Sequence, residues 1–115
     1  MSAKAELLIL AEKVEAGNGP DFMLRVEVFK ALPHEHWLDM DIITSIDATE
    51  ALRERLLPGL FISVDQDERL YRAYFERRVY DREEIRLLDP AWSGEAPTEP
   101  RARLAALLRA HAGGM

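Results

Sequence analysis

The chain contains no cysteine, which excludes disulfide frameworks, thiolate zinc sites, iron–sulfur ligation and cysteine nucleophiles together. That absence fits a reducing compartment, and a cytoplasmic location is expected. Long hydrophobic runs are also missing. The longest, Leu7 to Ala11, is far short of the ~18 residues of a membrane span, and Glu6 lies where a signal peptide would be apolar. No membrane partner is expected. The chain has no Walker-type glycine loop, no GxSxG and no GxGxxG, so nucleotide-binding and serine-hydrolase readings lack a starting residue. Ser2, Ser45 and Ser63 are each explained by a cap or a strand position.

What is present describes one globular domain spanning residues 1–115. The chain is 48% hydrophobic and 31% charged, with six glycines and six prolines. A chain of this length buries about 60–70% of its unfolded surface, enough for one apolar core without a structural metal. Its net charge of −6 is uneven: residues 1–57 carry 11 acidic and 6 basic side chains, and residues 58–115 carry 10 and 9. An acidic chain is a poor general binder of nucleic acid, whose phosphates draw affinity from clustered Lys and Arg. The arginines at 69, 72, 77, 78, 82 and 86 are interleaved with Glu68, Glu76, Asp81, Glu83 and Glu84. Such alternation describes a mutually paired strand-and-turn surface.

Hydrophobic spacing predicts four helices. Over 3–16, Leu7, Leu8, Leu10, Ala11 and Val14 form the apolar side, with Ser2 as N-cap and Gly17 as stop. Over 21–32 the pattern fits either a strand or a helix, and the absence of an internal breaker favours a helix capped by Asp21. Pro33 to Ile43 reads as a loop or irregular extended segment. Over 45–57, Ile46, Ala48, Ala51, Leu52, Leu56 and Leu57 form a stripe that starts at Thr44 or Ser45 and ends at Pro58-Gly59. A β-hairpin follows, with Leu60, Ile62, Val64, Tyr71, Ala73 and Phe75 on one apolar face. Arg77 to Glu84 extends its second strand in one reading, and residues 85–88 are a candidate third strand. Asp89 to Pro100, with three prolines, reads as a loop to the last helix, 99–112, whose stripe is Leu104, Leu107, Leu108 and His111. The expected class is α+β: a small antiparallel sheet packed with helices in a layered α/β/α sandwich, the helices hiding one or both sheet faces.

The order of these motifs carries a likeness. Leu8-Ile9-Leu10-Ala11-Glu12-Lys13-Val14-Glu15-Ala16, then Gly19-Pro20-Asp21, Thr44-Ser45-Ile46-Asp47-Ala48, Leu57-Pro58-Gly59, Tyr71-Arg72-Ala73 and Ala105-Ala106-Leu107-Leu108-Arg109-Ala110, together resemble the phage ABA sandwich domain family of small phage and prophage proteins. The resemblance covers most of the chain. It implies a helix-and-sheet sandwich, a phage or prophage origin and hence the host-cell cytoplasm. It implies no reaction and no catalytic residues.

Few residues suggest chemistry. His34, His36, Asp39 and Asp41 form the densest set of possible metal ligands, and in an extended segment His34 and His36 would point the same way. Two histidines without a further defined ligand describe a solvated polar loop better than a metal site. Asp65, Asp67 and Glu68 lack the glycine and terminal glutamate of a calcium loop. Tyr71, Tyr74 and Phe75 among arginines superficially suggest a stacking platform for single strands, but only Tyr74 falls on the exposed side. Trp37, Trp92 and Tyr74 are the candidate interaction residues, each tryptophan equally suited to closing over the core. The sequence therefore favours a non-enzymatic protein acting through protein–protein contact or self-association, with no cofactor. Two alternatives stay open: an acidic regulator that binds or mimics nucleic acid, and a metal-binding accessory protein.

Overall fold

The computed structural model describes residues 2–32, 41–57, 60–80 and 85–113, with positions 61, 76–80 and 85–91 described through their backbone. In chain order it comprises α1 (Ala3–Ala16), α2 (Phe22–Ala31), α3 (Ile46–Leu56), β1 (Phe61–Gln66), β2 (Tyr71–Tyr80), β3 (Ile85–Ala96) and α4 (Glu99–Gly113). The fold is α+β, four helices with one antiparallel sheet of order β1-β2-β3.

Three helices start where the sequence places caps. The Ser2 hydroxyl accepts from the Ala5 N–H at 3.1 Å, the Asp21 carboxylate from Leu24 at 3.0 Å, and Ser45 from Ala48 at 3.2 Å. Segment 22–31 is helical, and the set it buries is Leu24, Val28 and Phe29, leaving Phe22 66% exposed. In α1 the buried positions Leu7, Leu10, Ala11 and Val14 follow the helical period, and Leu8 falls outside the stripe. Gly17 does end α1, but in an extended conformation with φ −106°. Its value lies in space: an added Cβ would come within 2.5 Å of the Arg101 guanidinium. Arg101, 3% exposed, donates from Nη1 to the Val14 carbonyl at 3.0 Å and from Nε to that of Gly19 at 3.2 Å. A cation reached from α4 thus satisfies the negative end of α1.

α4 is more deeply wrapped than its predicted one-sided stripe. Arg101, Ala102, all five residues from Leu104 to Leu108, Ala110 and Ala112 are buried, because α4 packs on β2, β3, α1 and α3 at once. His111, expected in that stripe, is only half-buried. Its alanines allow close approach. Beneath them lies Gly94, where an added Cβ would sit 2.7 Å from both the Ala105 Cβ and the Ala106 nitrogen. The layers run from the sheet to α4 with α1, then to α2 against α1 and α3 against α4. Among the described residues the helices therefore meet the sheet from one face.

The register aligns Ile62 with Phe75 and Val64 with Ala73, and on the other side Ala73 with Gly94 and Phe75 with Trp92. Directly paired residues share a face, so the apolar set foreseen for the hairpin points toward α4. Ser63, Asp65, Arg72, Tyr74, Ser93 and Glu95 occupy the opposite face. One expectation needs correction: residues 89–96, read as part of a loop, belong to β3, which runs through to Ala96. Pro90 is accommodated because the pairing shifts register between Phe75 and Arg77 and resumes at Arg77 with Leu88. A proline without an N–H is tolerated where the ladder is interrupted.

Candidate interaction surface

The sheet has two outer edges, and backbone alternation decides which groups face outward. Asp67 closes the β1–β2 turn, its N–H donating to the Leu70 carbonyl at 3.0 Å. Bonded pairs alternate along an antiparallel ladder. Counting from Asp67 and Leu70, the residues of β1 that bond to β2 are the odd-numbered ones. Ile62, Val64 and Gln66 therefore direct their N–H and C=O groups away from the sheet. By the same parity Trp92, Gly94 and Ala96 of β3 face β2, and Ser93 and Glu95 face outward.

On β3 two of these outward groups are taken. The Glu15 carboxylate of α1 accepts from the Glu95 N–H at 2.7 Å, and Arg109 of α4 donates to the Ser93 carbonyl at 2.8 Å. The two side chains also pair, with Arg109 Nη2 2.5 Å from Glu15 Oε1. Burial alone would push the Glu15 carboxyl up, but the Arg109 hydrogen bond, the Glu95 N–H and the Arg109 charge outweigh it and hold the group below its ordinary value.

On β1 the described residues leave the row open. Among the described residues no hydrogen bond reaches the outward groups of Ile62, Val64 or Gln66. Leu60, just before the strand, is by contrast engaged: its N–H donates to Leu57 at 3.3 Å and its carbonyl accepts from Arg53 at 3.1 Å. The side chains of Leu60, Ile62 and Val64 are only partly buried against the core, since α4 covers β2 and β3 rather than β1.

Beside this edge, Asp65, Gln66, Asp67, Leu70, Arg72 and Glu95 line a shallow hollow of about 140 Å³. Its charge is negative, three carboxylates to one guanidinium, and its polar groups bond among themselves. Arg72 Nε donates to Glu95 at 2.6 Å, and hydrogen bonds from the Arg69 and Leu70 N–H groups, each 3.0 Å, hold the Asp67 carboxyl below its usual value. Arg72, one of the interleaved arginines, thus pairs across the sheet with Glu95, a carboxylate outside the interleaved set.

The sequence-selected residues fall in separate places. His34, His36, Trp37 and Asp39 lie outside the described residues. Asp41 is described, and its carboxylate accepts from the Thr44 hydroxyl and from the N–H groups of Thr44, 3.2 Å, and Ile43, 3.3 Å. Those bonds, led by the Thr44 hydroxyl, lower its pKa. They also fix a turn that carries Ile42 and Ile43 into the core, a burial the loop reading of 33–43 did not foresee. Among the described residues no group of three or more ligand-type side chains could hold a metal. Trp92 packs partly buried against the core, with its indole so close to Gly113 that an added Cβ would come within 2.5 Å of Nε1. Tyr74 lies half-buried on the open face, and its hydroxyl donates to Asp65 at 2.7 Å.

Glu15 and Arg109, which close β3, were not singled out in the sequence. They lie 94 positions apart, and no local pattern links them. Compared with protein-family models, curated proteins and solved structures, the chain matches none.

Proposed function

We propose that this is a non-enzymatic, phage- or prophage-type protein that acts in the host-cell cytoplasm through contact with protein, and that strand β1 is the contact. The likeness in motif order to the phage ABA sandwich domain family supports the origin. One observation carries the mode of action: the outward N–H and C=O groups of Ile62, Val64 and Gln66 form a ladder edge without partners among the described residues, beside half-buried apolar side chains. Unpaired strand edges accept further strands, the backbone providing affinity and alternate side chains providing selectivity. Affinity capture from host lysate with the intact chain and with Gln66→Pro, side by side, tests this. Proteins held by the first and lost from the second support the reading. An identical set on both rejects it, and recovery of salt-sensitive nucleic acid favours the regulator alternative.

A further inference from the structure

We infer that the occupant of the β1 edge is β1 of a second copy, paired antiparallel about a two-fold axis at Val64 so that two sheets join into one. This rests on the reading of β1 as a protein-contact strand and names its partner. The register follows from which groups are free among the described residues. Leu60 is already bonded to Leu57 and Arg53, so the open stretch begins at Ile62 and runs to Gln66. Its midpoint is Val64. A two-fold there sets Val64 against Val64 of the partner subunit and Ile62 against Gln66 of the partner subunit, giving about six backbone hydrogen bonds with every outward group used. A two-fold at Ser63 would instead set Gln66 against the engaged Leu60.

Side chains agree with that register. On the helix-covered side, Val64 meets its own copy, and the apolar strip that α4 leaves half-exposed continues across the axis. On the other side, Ser63 lies across from Asp65 of the partner subunit, a hydroxyl donor facing a carboxylate, and no two like charges are opposed. Such an isologous edge closes after two copies. At the β3 edges of both copies Glu15 and Arg109 hold the Glu95 N–H and the Ser93 carbonyl, which opposes growth of the joined sheet into a fibre. The strand is short, which places the dimer at the weak end of specific association.

Sedimentation velocity on the full chain across a wide concentration series tests the pairing. The expected result is a monomer that converts to a dimer as concentration rises. Gln66→Pro, which deletes an outward N–H, raises the dimer dissociation constant about tenfold or more and leaves the far-ultraviolet circular dichroism unchanged. Ser63→Asp, placing a carboxylate against Asp65 of the partner subunit, weakens the dimer, and Ser63→Lys at the same position tightens it. A monomer at every concentration, a dimer indifferent to Gln66→Pro, or Ser63→Asp and Ser63→Lys shifting in the same direction would each overturn the proposal. A chain that stays monomeric yet loses its captured proteins on Gln66→Pro overturns self-pairing alone and leaves the protein-contact reading standing.

Discussion

β1 and β3 are both outer strands of one small sheet, yet they meet their surroundings in opposite ways. β3 is backed by α4 and α1, and two of its outward backbone groups, the Ser93 carbonyl and the Glu95 N–H, are taken by Arg109 and Glu15. β1 lies beyond the helical cover, and its outward row at Ile62, Val64 and Gln66 is open among the described residues. A sheet edge is an adhesive template unless something occupies it. The difference teaches that closing an edge takes long-range side chains, which among the described residues reach β3 and not β1.

The contrast is broken most severely at Gly94. A Gly94→Val side chain would collide with the α4 backbone and force helix and strand apart, a loss of about 2–4 kcal/mol by urea denaturation, because overpacking a rigid contact is costly. Stability unchanged within error would show that α4 does not seat on β3 as described. Next is Arg109→Ala, which leaves Glu15 partly buried without its cation and frees the Ser93 carbonyl. About 1–3 kcal/mol should be lost, and hydrogen exchange at the Glu95 amide should accelerate.

Acid provides a graded version of the same test. The folded-state pKa of Glu15 lies below its unfolded value. Its contribution is therefore complete above the unfolded value of about 4.3 and is lost as pH falls through the folded one. Glu15→Gln should flatten that part of the stability–pH curve; a curve identical to wild type would deny Glu15 its part in closing β3. The smallest effect belongs to the open side. Gln66→Pro should move the unfolding free energy by only about 0.5 kcal/mol, since the N–H it removes faces away from β2. A loss comparable to that of Arg109→Ala would mean that the β1 edge is already engaged within the chain.

Local chemistry was legible in the sequence, and long-range pairing was not. Ser2, Asp21 and Ser45 cap helices because a cap needs only a side chain and an N–H three residues on. The inward face of the hairpin was equally readable, since the strand period of two is a local property. Over 89–96 the sequence signals a loop, with three prolines between 89 and 100, whereas an interruption in the ladder absorbs Pro90 within β3. α4 was read as one-sided because alanine is a weak signal of burial, and only the tertiary arrangement shows partners all around it. Of the interaction candidates, Trp92 serves the core and Tyr74 lies on the open face. The edge that now stands out could be found only after the parity of the hairpin was known.

The depth of α4 has a consequence for how the chain acquires its shape. Helix α1, strands β2 and β3, and α3 all lean on a segment that leaves the ribosome after every one of them. Until residues 99–113 emerge, Leu7, Val14 and Phe75 lack the surface of α4 against which to settle, and Arg101 is not yet there to quiet the end of α1. Nascent chains should therefore remain loosely organised and exposed to chaperones until that helix arrives, and condense in a single step when it does.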